Sequence, residues 1–171
     1  SWTFTTGTES DENPPIVSLW APQGGNVCLT PQVQVQFNEP MYAPSISKDN
    51  ITISPQNPID LKVTNVFMNS SSSFTASLNK PLDGNTTYTI TLSAVAPDGF
   101  QDSCGNLLDC GNGSNICTSD GTATGTAADN FSWTFTTEDT TETDCKPEIT
   151  AITYTGYYSS NGPADAITLD G

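Results

Sequence analysis

Apolar and polar side chains alternate with a period of two along most of this chain. The clearest run is residues 33–37, where Val33, Val35 and Phe37 share one face and Gln34 and Gln36 the other, the signature of a half-buried strand. Tyr88, Ile90 and Leu92 alternate in the same way with Thr87, Thr89 and Thr91, and Phe74, Ala76 and Leu78 line one face of a further strand. Ile51 with Ile53, and Leu61 with Val63 and Val66, mark two more. Ile16 to Trp20 opens the series, ended by Pro22 and Gly24-Gly25, and Phe131 to Thr137 closes it. No window has helical periodicity, and Asn69 to Ser73 and Lys80 to Asn85 read as turns by composition. The prediction is an all-β, antiparallel sandwich of about seven strands. The connection 97–130 is too long for a hairpin loop, and its cysteines predict a stapled, ordered excursion.

Ser1-Trp-Thr-Phe-Thr-Thr6 returns letter for letter at Ser132 to Thr137, one domain length later. Each copy is followed by an acidic, Thr/Ser-rich run and then by a proline that opens an apolar strand, at Pro15-Ile16-Val17 and near Pro147-Glu148-Ile149. A strand that closes two successive units is the mark of a tandem array. The chain therefore divides into the last strand of a preceding module (1–6), an acidic linker (7–13), one complete sandwich (14–137), a second acidic linker (138–146) and the start of a following β module (147–171). A lone Ser1–Thr6 strand carrying Trp2 and Phe4 is an aggregation hazard unless another sheet takes it up. It is expected to complete a neighbouring sandwich by strand addition.

Four short motifs fall in order across 14–137. They are Phe37-Asn-Glu39-Pro40-Met41; Leu82 followed by Thr86-Thr87-Tyr88-Thr89-Ile90; Asp102-x-x-Gly105-Asn106-x-Leu108; and the Ser132–Thr137 ending. Together they resemble the F-x-E-P-M, D-x-x-G-N-x-L and W-x-F-T-T pattern of the bacterial Ig-like domains first associated with S-layer proteins. The resemblance implies an Ig-like sandwich and a non-catalytic spacer or assembly module of surface layers, adhesins or secreted multidomain enzymes. The cysteines and the insertion after Leu108 depart from that pattern.

Charge narrows the function further. Nineteen Asp and Glu face four lysines, with no arginine and no histidine, for a net charge of −15. Such a surface repels phosphate backbones, which excludes nucleic acid as a partner. No run of about 18 apolar residues is present, so membrane insertion is not expected. Without histidine a Ser or Cys nucleophile would need a lysine base, and the lysines stand apart, so the chain reads as no enzyme.

In an Ig-type sandwich chain direction alternates, so the turns after residues 37 and 92 share one end with the incoming linker. That places Glu39, Asp98 and Asp102 near Asp11, Glu12 and Asn13, all hard oxygen donors suited to calcium. The plainer reading is solvated linker acids with Asp98 and Asp102 as turn residues.

Five cysteines without zinc-type spacing point to structural disulfides and an extracellular, cell-surface compartment. Cys28 lies just before the 33–37 strand, at the end where the last strand finishes. Cys145 lies eight residues past Thr137, a reach of up to about 26–29 Å. A Cys28–Cys145 bond is therefore expected, worth about 4–5 kcal/mol in the chain-entropy model. Of Cys104, Cys110 and Cys117, two should pair locally, with Cys104–Cys117 favoured. Five Asn-x-Ser/Thr sequons (Asn50, Asn69, Asn85, Asn112, Asn130) are compatible with a secreted glycoprotein. The rival reading is an accessory or glycan-binding module of a secreted carbohydrate-active protein, which would use exposed aromatics among Trp20, Tyr42, Phe100, Tyr154, Tyr157 and Tyr158 on surface glycans.

Overall fold

A computed structural model describes residues 11–111, 116–119, 121 and 123–139, together with Thr3. Eight strands form: β1 (Val17–Ala21), β2 (Gly24–Val27), β3 (Val33–Phe37), β4 (Ile51–Ser54), β5 (Val63–Ser70), β6 (Ser73–Leu78), β7 (Thr87–Leu92) and β8 (Phe131–Thr137). They make two four-stranded sheets, β1-β3-β6-β5 and β2-β8-β7-β4. Every pairing is antiparallel except β2 with β8. The all-β sandwich expected from the alternation is the fold observed.

The strand that the pattern does not announce is β2. Gly24-Gly25 reads as a turn, yet after Pro22 the chain crosses from the first sheet to the second and runs parallel to β8, Gly24 opposite Phe135 and Val27 opposite Thr137. Gly24 sits at φ +74°, a left-handed backbone that glycine adopts without strain. The crossing is fixed by the Trp133 indole, whose Nε1 donates to the Pro22 carbonyl at 2.9 Å.

The core follows the alternation closely. Val33, Val35 and Phe37 are buried and Gln34 and Gln36 exposed, and Phe131, Trp133 and Phe135 are buried along β8. Phe37, Phe74 and Phe100 stack at 5.7–6.1 Å between ring centres. Truncating one such ring costs about 3–5 kcal/mol. Tyr88 is buried against Phe135, and its hydroxyl donates to the Asn57 carbonyl at 2.5 Å and accepts from the Asp83 N–H at 3.0 Å. Burial pushes that phenol above its ordinary range.

Strand direction separates two ends. At one, Met41 N–H meets the Ser71 carbonyl on the β5–β6 tip and Tyr42 N–H meets Gln101. The described part of the connection 93–130 and the incoming segment 11–16 lie there too, with Asp109 N–H on the Pro15 carbonyl. At the other, Glu138 N–H donates to Val27 and Asn85 N–H to Glu138, both at 2.9 Å. The two linkers thus join at opposite ends, as the chain-reversal count predicts. None of the eight strands contains Asp, Glu, Lys or Arg. Among the described residues, all charge lies off the strands.

Candidate functional site at the incoming end

The segment entering β1 is tied down by side chains. Asp11 Oδ1 accepts from the Asn13 N–H and from its side-chain amide, which curls the segment back on itself. Asn38 Oδ1 then accepts from the Ile16 N–H at 2.8 Å, while the Asn38 N–H donates to the Ile16 carbonyl at 3.1 Å. Asn106 completes the clamp. Its Nδ2 donates to the Asp11 carbonyl at 2.9 Å and to the Asn13 carbonyl at 3.4 Å.

Asn106 is itself placed by Asp102. That carboxylate is buried, 2% exposed, and accepts from Cys104 N–H, Asn106 N–H and Asn106 Nδ2, each at 2.8 Å. Gly105 at φ +91° supplies the left-handed residue the turn needs. Leu108, fully buried, anchors the exit. The Asp-x-x-Gly-Asn-x-Leu motif is therefore a linker clamp built on one buried carboxylate. Asn106 and Asn38 were not singled out as site residues, although the motif pointed at the first.

Of the six carboxylate and amide residues expected to hold calcium, three converge. Burial raises the Glu39 carboxyl above its ordinary value, and the negative charges of Asp11 and Asp102 raise it further, against a lowering hydrogen bond from Asn38. Ligand atoms of Asp11, Asp102 and Cys104 all lie within 4.8 Å of one another. Glu12 and Asn13 are exposed, and the Asn13 amide is engaged by Asp11. Asp98 stands elsewhere, exposed beside Tyr42, Asp49 and Asn50, with its carbonyl accepting from the Asn50 amide. The donor set suits a cation in part. Crowded carboxylates favour one, but both Asp102 oxygens already accept N–H donors, and the Cys104 thiol is too soft a ligand to select calcium.

The insertion packs against the same segment. Asp109 N–H donates to the Pro15 carbonyl at 3.0 Å, and the Cys117 sulfur accepts from the Val17 N–H at 3.1 Å. Two buried carboxylates organise it internally. Asp109 accepts from the Ser119 hydroxyl and Gly121 N–H, and Asp129 from the Thr124 hydroxyl and Thr126 N–H. The disulfide joins Cys110 to Cys117, with Cys104 free and exposed, which corrects the expected Cys104–Cys117 pairing. The cause is Asp102. By closing the 102–106 turn it holds Cys104 at the rim, while Leu108 and Cys110 turn into the core, both fully buried.

Cys28, at the far end, is disulfide-bonded. Cys145, its expected partner, lies outside the described residues, as do the duplicated strand with Trp2 and Phe4, the following module and Tyr154, Tyr157 and Tyr158. Of the aromatics considered for glycan contact, Phe100 is fully buried, Trp20 packs edge-on against Phe131 at 5.0 Å, and Tyr42 is exposed. No helix among the described residues is long and apolar enough to cross a membrane.

Comparison with known proteins adds three findings. The family model described as Bacterial Ig-like domain matches residues 11–137. No curated protein matches the chain. Among solved structures, the N-terminal part of the bacterial S-layer protein SbsC is 18% identical with a TM-score of 0.44, over 71% of this chain and 23% of that one. A longer form of that S-layer protein gives 18% and 0.44 over 72% and 14%. An L,D-transpeptidase from Mycobacterium smegmatis gives 15% and 0.38 over 48% and 37%. The chain thus spans less than a quarter of the S-layer structures it matches.

Proposed function

We propose that this chain, which belongs to the bacterial Ig-like domain family across residues 11–137, is a non-catalytic structural module of an extracellular surface array, adhesin or filament. It spaces, stiffens and joins neighbouring copies head to tail. The observation that carries the reading is the duplicated hexapeptide. Its second copy is β8, an inner strand of its sheet with Trp133 and Phe135 in the core. Ser1–Thr6 has the same side chains in the same order and therefore fits the corresponding slot of a preceding module. Entry and exit at opposite ends of the sandwich suit that axial arrangement. The Cys110–Cys117 bond suits an oxidising, extracellular setting.

Light scattering on a dilution series tests the axial contact. β8 already fills that slot in the 14–137 sandwich, so the acceptor is the following module begun by residues 147–171; the chain should form concentration-dependent oligomers through it, and Trp2→Ser should remove them. An unchanged oligomer distribution in that variant defeats the reading. A Cys28–Cys145 bond belongs to the same proposal, since it would fasten the outgoing linker to the domain it leaves. Non-reducing peptide mapping should recover those two cysteines together, and a Cys28 peptide bonded to Cys104 would refute it.

A second reading, a cation at the incoming end, is supported by the convergence of Asp11 and Asp102, whose ligand atoms lie within 4.8 Å of each other, with Glu39 close enough for their charges to raise its carboxyl. Calcium bound only by the folded state raises the thermal midpoint by mass action. A midpoint indifferent to millimolar calcium and to EDTA removes this reading. The glycan-binding alternative has less support, because the exposed aromatics among the described residues, Tyr42 and Phe67, line no common pocket.

A further inference from the structure

β1 is an edge of the first sheet, with β3 on one side only. Just before it, Ile16 turns its N–H and carbonyl toward Asn38, the residue that follows β3. Backbone groups alternate sides along an extended chain, so the Pro15 carbonyl and the Val17 N–H face the other way, off the sheet. An open row of such groups is a template for a foreign strand. The insertion occupies both. Asp109 N–H donates to the Pro15 carbonyl at 3.0 Å, and the Val17 N–H donates to the Cys117 sulfur at 3.1 Å. The start of this edge is therefore closed in part by a sulfur atom that belongs to a disulfide.

The two halves of that disulfide are held unequally. Cys110 is fully buried, and its N–H donates to the Asp129 carbonyl at 3.2 Å. Cys117 is half-buried between the exposed Ile116 and Thr118, and the Thr118 hydroxyl reaches the Gly111 carbonyl only at 3.4 Å. Seven positions separate the pair, and a closure this short constrains less of the unfolded chain than a long one does. Its effect is accordingly local. When the bond opens, the sulfurs must part to van der Waals contact, and a close-packed core gives Cys110 no room to yield. Cys117 is the half that withdraws. Sulfur is a weak acceptor, so the Val17 N–H is readily given up to water.

We infer that the Cys110–Cys117 disulfide is a redox-sensitive latch that closes the β1 edge at Val17 and stiffens the incoming joint. A dithiol reductant opens it. One thiolate of the reductant attacks the more exposed Cys117 sulfur, and Cys110 leaves and takes up a proton. The second thiol of the reductant then displaces Cys117. Two electrons and two protons pass to the protein, and the reductant becomes its own disulfide. Cys110 stays in the core as a small apolar side chain, and Asp109, fully buried, keeps its hold on Pro15. Val17 alone is released. An oxidising compartment keeps the latch shut. The latch acts within a single chain and does not depend on the axial assembly proposed above.

The experiment uses the full 171-residue chain carrying Cys104→Ser, so that the free Cys104 thiol cannot exchange with the bond. Hydrogen exchange at the Val17 amide is read before dithiothreitol, after it, and again after reoxidation. Reduction should quicken it by at least about tenfold while amides of β6 and β8 keep their rates, and reoxidation should restore the slow rate. Cys110→Ala with Cys117→Ser spares Cys28, which is bonded elsewhere, and lacks the latch. In that variant Val17 should exchange fast from the start, and dithiothreitol should add nothing there. Brief reduction followed by alkylation should label Cys117 before Cys110, a readout that does not rely on the double variant folding. Unchanged exchange at Val17 on reduction overturns the inference, as does labelling of Cys110 first. Equal acceleration in β6 and β8 also overturns it, since the bond would then support the whole sandwich.

Discussion

The two ends of the sandwich hold their linkers by different means. At the outgoing end the chain leaves as the continuation of β8, and backbone groups hold it: Glu138 N–H to Val27 and Asn85 N–H to Glu138. The Thr137 hydroxyl adds to this, donating to the Asp83 carbonyl at 2.6 Å and accepting from the Thr86 N–H at 3.0 Å, and Cys28 at this end is disulfide-bonded. At the incoming end the fastening is made by Asn38, Asn106 and the buried Asp102 behind them. Main-chain ladders tolerate substitution, whereas a clamp of side chains depends on each member. The incoming joint is thus the one that polar side chains tune, and at the outgoing joint the hydrogen bonds come mainly from the sheet's own backbone.

Replacing Asp102 tests the sharpest side of this contrast. Asp102→Ala leaves two N–H groups and the Asn106 amide without their acceptor, and should cost about 3 kcal/mol in denaturant unfolding. A loss under about 1 kcal/mol would mean that the clamp is ornamental and the ends alike. At the outgoing end Thr137→Val keeps the shape and removes the hydroxyl. It should cost about 1–2 kcal/mol while hydrogen exchange at Ile16 and Val17 stays as in the parent.

Asn106→Ala separates local from global effects. We expect about 1 kcal/mol of overall destabilisation, with faster exchange at Ile16 and Val17 and none at Glu138. Equal acceleration at both ends would erase the distinction.

The smallest effect is at Glu39. Its folded carboxyl titrates above the ordinary value, so its stabilising share is present at low pH and lost as pH rises through the raised value. Glu39→Gln should therefore be a few tenths of a kcal/mol more stable than the parent at neutral pH, an amount kept small by partial solvent screening. The two proteins should converge below about pH 4. With a cation bound at this end the sign reverses at neutral pH, because the substitution removes a ligand.

What the sequence revealed follows from periodicity. Each strand with an apolar face, from β3 with Val33, Val35 and Phe37 to β8 with Trp133 and Phe135, was legible because one face had to be buried. β2 was not, since Gly24-Gly25-Asn26-Val27 is placed by pairing with β8 and by the Trp133 indole, both distant in sequence. At the incoming end the convergence of Asp11, Glu39 and Asp102 was legible from chain direction alone. Asp98 was misplaced because its loop turns toward Asn50, which chain direction does not reveal. The Cys110–Cys117 pairing was hidden for a related reason: spacing leaves either partner sterically open, and a buried aspartate chooses between them.

The absence of charge from the described strands also sets how such a module meets proteases. An enzyme that cuts after basic residues finds no arginine and only four lysines in the whole chain. Two of them, Lys80 and Lys146, are followed by proline, which blocks cleavage. Lys48 is paired with Asp49 at 2.7 Å within a short 3-10 turn. Lys62 remains, flanked on both sides by the buried Leu61 and Val63 at the start of β5. Strands without basic residues therefore leave trypsin-like enzymes almost nothing to recognise, and a chain of these modules would persist where secreted proteases are abundant.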